Sequence, residues 1–455
     1  MSDTIVAVAT PPGSGALAIV RLSGPQAASI AQAVLRLKPQ GLKSRQARTA
    51  MAHDAAGTID QVVAVFFPGP RSSTGEDVVE LTSHGSPYIQ KRLLAALLKA
   101  EARQAQPGEF TQRAYLNGRL DLAQAEAVCD LIGASTELSH RAALAQLEGG
   151  LSAAVNDLRR PILDFLVRIE ALLDHPEEDI PSIPGDEASQ TLKRLEEPVR
   201  RLADTFQTGR LWREGLRVCL VGRPNAGKSS LFNALLGCER AIVCPEPGTT
   251  RDTIEESWDL DGLPAVLVDT AGLGHPSCGA AETESLRRTQ KALACSDLTL
   301  LVIDASRPPE PEDKAAHDQV LKASEKTRKP VITILSKSDL PKRNSSLPDG
   351  HAVSALAGQG LSELRRLALA RLSPDSGRPA GHSILVTRQR HHEALQSALS
   401  DLHEASTALQ THPGQWEELV ARHLRDSLAA LDKIIGAGAP DEVCHEIFSR
   451  FCVGK

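Results

Sequence analysis

Aromatic residues make up only 3% of this 455-residue chain. So small a supply excludes a base-stacking surface of the single-strand-binding kind and leaves the core to Leu, Ala, Ile and Val. Paired cysteines are missing too. None of the eight (Cys129, Cys219, Cys238, Cys244, Cys278, Cys295, Cys444 and Cys452) stands in a Cys-x-x-Cys pair, which removes zinc knuckles and thioredoxin-like centres. Apolar stretches such as Leu298 to Ile303 are far too short to span a bilayer. The opening Met1-Ser2-Asp3-Thr4-Ile5 lacks the basic-then-apolar order of a signal peptide. Positive charge is not in excess either: 51 Lys and Arg against 57 Asp and Glu give a net charge of -6. That argues against a protein coating nucleic acid throughout, while leaving room for a local basic patch. A cytoplasmic protein with reduced thiols and no membrane contact is expected.

What is present falls into three textures, in keeping with about 150 residues per domain. Residues 1–118 mix short β-like runs (Thr4 to Val8, Ala16 to Leu22, Gln61 to Phe67, Asp77 to Leu81) with one helical run, Gln90 to Leu98. Pro-Gly pairs at 12–13, 68–69 and 107–108 punctuate them, which suggests an α+β domain. From Leu120, helical spacing takes over at Leu122, Ala125, Val128, Cys129 and Ile132, and again through Leu144 to Leu173 and Leu192 to Leu202. The acidic stretch His175 to Asp179 reads as a solvated turn between helices. Near Leu216 strands begin to alternate with helices. Leu216 to Val221, Ala265 to Val268, Leu298 to Ile303 and Val331 to Leu335 have the unbroken apolar character of buried parallel strands. Helical patterning resumes after about Ser376. The expected architecture is a multidomain α/β and α protein. An N-terminal α+β domain (1–118) precedes a helical domain in two parts (119–213 and 377–455), with a Ras-like parallel-sheet α/β domain (214–376) inserted between the parts.

The strongest chemical signal is Gly222-Arg223-Pro224-Asn225-Ala226-Gly227-Lys228-Ser229-Ser230, which fits the phosphate-loop pattern between an apolar strand and a helical run. Backbone N–H groups there can curl around phosphate oxygens, and the helix N-terminus adds positive dipole. Lys228 would reach the β- and γ-phosphates, and the Ser229 hydroxyl would ligate Mg²⁺. Gly248-Thr249-Thr250-Arg251-Asp252 offers a Thr hydroxyl for sensing the γ-phosphate through Mg²⁺. Asp269-Thr270-Ala271-Gly272 ends a strand, so that Asp269 can hold the magnesium water shell and the Gly272 N–H can touch the γ-phosphate. Ser336-Lys337-Ser338-Asp339 is similar to the guanine-reading Asn-Lys-x-Asp. Asp339 would accept from guanine N1–H and the amino group, while Ser336 is shorter than Asn and has no amide. Ser354-Ala355-Leu356 would close over the base. Leu273 occupies the place where a Ras-like enzyme holds a water-orienting Gln. Glu282 and Glu284 follow, either as acids opening a helix or as a replacement for that Gln.

Further motifs support a family resemblance over the whole chain. They are Thr4 to Ala7, Ala9 to Gly13, Arg21-Leu22-Ser23-Gly24, Thr74-Gly75-Glu76-Asp77 through Glu80, Pro107-Gly108-Glu109-Phe110, Leu120 to Ala127, and the ending Phe451-Cys452-Val453-Gly454-Lys455. The chain resembles the bacterial tRNA-modification GTPases of the MnmE (TrmE) family. That resemblance implies GTP hydrolysis and, with the flavoprotein partner MnmG (GidA) in a heterotetrameric or larger complex, addition of an aminomethyl or carboxymethylaminomethyl group at C5 of the tRNA wobble uridine. It also implies a homodimer through the N-terminal domains. A 5-formyl-tetrahydrofolate or related one-carbon ligand would sit at Arg21, Glu80, Arg119 and Lys455, with Arg119 replacing the Lys of some relatives. Hydrolysis would depend on K⁺ held by Asn225, Cys244, Glu246 and Thr249, with Mg²⁺ at Ser229 and Thr250. The nucleotide-facing segment would run Cys244-Pro245-Glu246-Pro247-Gly248. Glu282 becomes the water-orienting acid. Cys452 becomes a candidate in the modification chemistry, as nucleophile or by position, with an inert thiol as the alternative.

A second reading is a regulatory or ribosome-assembly GTPase of the K⁺-dependent kind with no further chemistry. The α/β motifs do not separate the two, whereas the N-terminal motifs and the Cys-Val-Gly-Lys ending favour modification. Arg194, Arg200, Arg201, Arg210 and Arg213 are candidates for a basic tRNA-facing surface, simple solvation being the alternative. His84 and His445 have no partners that the sequence names.

Overall fold

The computed structural model describes residues 3–38, 41–174, 181–223, 225–237, 254–269, 296–308, 317–318, 320–322, 324, 329–341, 349–372, 384–412, 414–437, 441–449 and 451–454. In chain order the elements begin β1 (Ile5–Val8), β2 (Leu17–Ser23), α1 (Ala27–Val34), β3 (Arg48–Asp54), β4 (Gly57–Phe67), β5 (Val78–His84), α2 (Pro87–Lys99), β6 (Arg103–Gln104) and α3 (Glu109–Leu116). Helices α4 (Leu122–Gly133), α5 (Glu137–Leu147), α6 (Gly150–Asp174), α7 (Gly185–Asp204) and α8 (Phe206–Glu214) follow. Next come β7 (Leu216–Val221), α9 (Lys228–Gly237), β8 (Ile254–Leu260), β9 (Leu263–Asp269), β10 (Leu298–Asp304), β11 (Val331–Ser336) and β12 (His351–Ala352). The chain closes with α10 (Leu361–Leu372), α11 (Gln389–Thr411), α12 (Trp416–Ile435) and α13 (Asp441–Ser449). Two units result: Met1–Cys129 with Leu147–Asp174 and Ala421–Lys455, and Asp130–Gln146 with His175–Val420.

In the first unit six strands form a sheet in the order β3-β4-β5-β2-β1-β6, antiparallel except for the short β1–β6 pair. Period-two alternation on β2 sends Val20 and Leu22 into a core with Ile30, Leu81, Leu93 and Leu97, and so leaves Leu17, Ile19 and Arg21 on the opposite face. Strand β5 treats Glu80, Thr82 and His84 in the same way, and the register sets Arg21 opposite Glu80. Helices α1 and α3 go beyond the one helix expected here. The buried stripe of α1 is Ala27, Ile30, Ala31 and Val34, too rich in alanine for its period to stand out. Phe448 and Phe451 pack with Leu122, Ala125 and Cys444. Beyond them Val453 bridges to Pro107. Gly454, at φ 100, lies where a Cβ would stand 2.3 Å from the Val8 carbonyl oxygen, so only glycine brings the chain this close.

The second unit holds a sheet in the order β12-β11-β10-β7-β9-β8, parallel except at β8. Its central strands are buried on both faces. Val218, Leu220, Leu300 and Val302 meet Leu231, Phe232 and Leu364 on one side, while Cys219, Leu301 and Ile303 face Val320 on the other. Unbroken apolar strands are what this double burial requires. Also within this unit, Arg213 and Arg388 both bond the Asp130 carboxylate, at 2.9 and 2.8 Å.

Candidate functional site

Strand β7 runs into the phosphate loop, and α9 begins at Lys228. Gly222, at φ 155, passes so near β10 that a Cβ would stand 2.3 Å from the Val302 carbonyl oxygen. Lys228 is buried, and its ammonium donates to the carbonyl oxygens of Gly222 and Arg223, both at 2.6 Å. Ser229 and Ser230 are exposed on the first turn of α9. Asp269 closes β9, its backbone in register with Leu220 of β7.

The candidate base side of the site is built at the ends of β10 and β11, the edge where parallel sheets bind ligands. Ser336 is buried, and its hydroxyl donates to the Ala226 carbonyl oxygen at 2.6 Å, with the Ile303 carbonyl oxygen at 3.1 Å. A hydroxyl therefore ties the phosphate loop to β11, in spite of the missing amide. Next to it Lys337 donates to the Asn225 carbonyl oxygen at 3.0 Å and to Asp304 at 2.6 Å. Both Asn225 (φ 63) and Lys337 (φ 56) hold left-handed backbone conformations, uncommon for residues with a side chain and concentrated at functional sites. Sequence reasoning missed Asp304. Burial pushes its carboxyl up, but the Lys337 ammonium and bonds from Ser306 outweigh this and hold it below the usual range. The available signal was its place at the end of an apolar strand, the same place that Asp269 and Ser336 occupy.

A cavity of 150 Å³ opens between these elements, lined by residues that include Gly227, Ser230, Ser336, Lys337, Asp339 and Leu356. Ala355 lines it too, and the buried Ser354 accepts the Ala357 N–H at 3.1 Å to hold the turn. Leu356 is 91% exposed at the rim. Of the sequence-selected residues, Asn225 to Ser230, Ser336, Lys337, Asp339 and Ser354 to Leu356 belong to this region. Cys244 to Thr250, Thr270 to Gly272, Glu282 and Lys455 lie outside the described residues.

In the other unit Arg21 and Glu80 form an ion pair at 2.8 Å, with the Arg21 guanidinium 5.8 Å from the Phe110 ring centre. Behind them the Ser23 hydroxyl bonds Glu76 at 2.8 Å, and Glu76 in turn receives the fully buried Arg113 at 3.0 Å. Arg113 also bonds Asp3 at 2.8 Å and Glu109 at 3.0 Å. Burial pushes the Glu109 carboxyl up, but hydrogen bonds from Arg103, the Gln106 N–H and Arg113 hold it below its ordinary 4.5. Arg119 is exposed, its stem 3.3 Å from where a Gly75 Cβ would stand, and Cys452 is exposed as well. His84 has a partner after all, since its Nδ1 lies 2.9 Å from the Asp60 carboxylate across β4 and β5. No described helix is long and apolar enough to cross a membrane.

Comparison with known proteins adds to this geometry. A family model described as the MnmE helical domain matches residues 122–452, and one described as the GTP-binding protein TrmE N-terminus matches residues 4–119. The chain is 38% identical over 464 residues to the tRNA modification GTPase MnmE of Koribacter versatilis, covering 100% of both. It is 40% identical over 458 residues to the protein of that name from Coxiella burnetii, covering 100% of this chain and 99% of the relative. A solved structure of Era from Aquifex aeolicus bound to GDP and aluminium fluoride is 25% identical, covers 43% of this chain and 67% of its own, and has a TM-score of 0.28. Matched end to end by curated relatives and along most of its length by two family models, the chain belongs to the MnmE (TrmE) family of tRNA modification GTPases.

Proposed function

We propose that this chain hydrolyses GTP and that its nucleotide cycle serves tRNA modification. The observation that carries this reading is a phosphate loop tied by Ser336 and Lys337 to a cavity bearing Asp339. In this reading guanine enters beside Asp339, whose carboxylate accepts from N1–H and the 2-amino group. Adenine offers no such pair of donors. Lys228 exchanges its two carbonyl bonds for oxygens of the β- and γ-phosphates, so its charge is held over the loop before substrate arrives. The exposed Ser229 hydroxyl is a hard oxygen donor of the kind Mg²⁺ takes, and Thr250 would complete the pair. Asn225, exposed at the crest of the loop, offers an amide oxygen suited to K⁺, with Cys244, Glu246 and Thr249 as further ligands. When bound, the two cations supply fixed positive charge against the charge that develops on the phosphates. Glu282 would orient the attacking water in place of the Gln that Leu273 displaces.

The modification side of the reading draws on family membership. A 5-formyl-tetrahydrofolate or related ligand binds at Arg21, Glu80, Arg119 and Lys455. The Arg21–Glu80 pair offers adjacent donors and acceptors of the sort that match a pterin edge. Exposed Cys452 is a candidate participant. The protein works in the cytoplasm as a homodimer with the flavoprotein MnmG, on the C5 position of the tRNA wobble uridine. Domain limits of 1–118, 119–213, 214–376 and 377–455 are part of the same proposal.

The deciding experiment is GTP hydrolysis with Mg²⁺ in KCl and in NaCl at equal ionic strength, with Glu282→Ala beside the wild type. A large K⁺ excess that Glu282→Ala abolishes supports both roles. Equal slow rates in both salts would remove the catalytic assignments.

A further inference from the structure

Between Asp3 and Asp54 the chain contains no Asp or Glu, in a protein whose net charge is -6. The same interval contains Arg36, Lys38, Lys43, Arg45 and Arg48. These five and Arg71 are exposed, and among the described residues none of the six forms an ion pair. The arginines of α7 and α8 behave differently. Arg200 pairs with Glu196 at 3.2 Å, Arg201 with Glu197 at 3.6 Å and Arg213 with Asp130 at 2.9 Å, so three of those five candidates are neutralised by their own unit.

Contacts link Lys38 with Arg48 through Gly41 and Arg45 with Arg71, and Arg36 and Lys43 belong to the same stretch of chain. Gly41 N–H bonds the Lys38 carbonyl oxygen at 2.9 Å, and the Arg48 guanidinium donates to the Gly41 carbonyl oxygen at 2.6 Å. Leu42 is buried beneath. Arg45 N–H bonds the Phe66 carbonyl oxygen at 2.7 Å, while its guanidinium lies 5.8 Å from the Phe67 ring centre and bonds the Arg71 carbonyl oxygen. Two of the strip's residues, Arg36 (φ 49) and Arg45 (φ 58), hold left-handed backbone conformations, as Asn225 and Lys337 do at the nucleotide site. Such conformations persist where the surroundings fix them, and they gather at functional sites. The stretch thus carries a row of exposed cations with no ion pair among the described residues, two of them, Arg45 and Arg48, anchored through their guanidinium groups, and its arginine forks are shaped for phosphate oxygens.

We propose that this strip is a docking surface for the phosphate backbone of RNA. It rests on the reading of tRNA as substrate and assigns that substrate a place to land. Its contacts are to backbone, so it positions the RNA and does not read bases.

The test titrates fluorescently labelled, unmodified tRNA transcript with the full-length protein at several salt concentrations, following anisotropy. The main variant is Lys43→Glu with Arg71→Glu, whose side chains make no hydrogen bond among the described residues, so folding is spared. Loss of two phosphate contacts lowers the slope of log affinity against log salt by about 1.5–2 and the affinity near physiological salt by about tenfold or more, with GTP hydrolysis unchanged. Arg45→Gln with Arg48→Gln repeats the effect without reversing charge, and Arg194→Glu with Arg201→Glu on α7 leaves binding as in the wild type. Wild-type affinity and slope in the Lys43/Arg71 variant would overturn the strip while leaving tRNA as substrate. An equal loss in the α7 variant overturns it too, because the effect is then one of overall charge. If the variant keeps tRNA but loses the flavoprotein, the surface belongs to a protein partner and the proposal is wrong. If the wild type itself fails to bind tRNA, the substrate reading falls first and takes the strip with it.

Discussion

Replacing Ser336 by Ala removes one hydroxyl and changes almost nothing else in volume. In the wild type that hydroxyl bonds the Ala226 carbonyl oxygen at 2.6 Å inside a buried position, one of two ties to the phosphate loop, the other being the Lys337–Asn225 bond. A typical buried hydrogen bond contributes about 0.5–1.5 kcal/mol, and a carbonyl left partly unsatisfied costs about 1–3 kcal/mol. This difference enters the binding equilibrium to the extent that the untied loop leaves the conformation that holds nucleotide. A loss of roughly 1–2 kcal/mol corresponds to about 5–30-fold weaker binding. The loss should be shared by GTP and GDP, because the tie lies under the loop and away from the γ-phosphate. Preference for guanine over adenine should survive, since Asp339 is untouched. Titrating a fluorescent GDP analogue, with GTP, GDP and ATP as competitors, measures all three quantities. Ser336→Asn should bind at least as well as the wild type, its amide reaching the same carbonyl. Affinity within twofold of wild type in Ser336→Ala would sink the idea that this hydroxyl stands in for the amide, as would a collapse of base preference.

Other perturbations reach the remaining parts of the molecule. Gly454→Ala puts a methyl group 2.3 Å from the Val8 carbonyl oxygen in a left-handed conformation. At about 1–3 kcal/mol, it should weaken 5-formyl-tetrahydrofolate binding roughly 5–150-fold by calorimetry, while GTP hydrolysis holds at the wild-type rate. Acid should loosen the first unit through Glu109 and Asp3, whose folded carboxyls sit below their ordinary values of 4.5 and 3.8. A depressed carboxyl stabilises above its unfolded value, and that contribution is lost as pH falls through the folded value. The urea midpoint should therefore drop as pH is lowered from about 4.5, and Glu109→Gln should be less stable at neutral pH with a shallower drop.

How much of this was legible in the sequence depended on contrast. Strands β7, β9, β10 and β11 are solidly apolar and stood out at once, as did the phosphate loop, whose pattern is nearly its own structure, whereas β8, with Glu255, Glu256 and Asp259, did not. Helix α1 did not, because alanine carries little hydrophobic contrast to set one face against another. Ser336 was read as a deficit, since a sequence shows the missing amide but not that the Ala226 carbonyl lies within reach of a hydroxyl. The Asp304–Lys337 and Asp60–His84 contacts escaped for a similar reason: each joins neighbouring strands or their ends, whose pairing no local pattern announces. The basic strip needed the structure as well. Counting arginines makes α7 and α8 look equally positive until their carboxylate partners are seen beside them.

The first unit is assembled from three stretches, the last of them Ala421–Lys455. On a ribosome this means that Tyr115 of α3 and Leu122 and Ala125 of α4 wait for Phe448 and Phe451, and Pro107 waits for Val453, the residues that pack or pair against them. The intervening His175–Val420 belongs to the other unit, and at about 5–20 residues per second its synthesis takes roughly 10–50 s. Throughout that time the site proposed for the one-carbon ligand lacks its C-terminal segment, so the first unit, begun first, is the last to be completed.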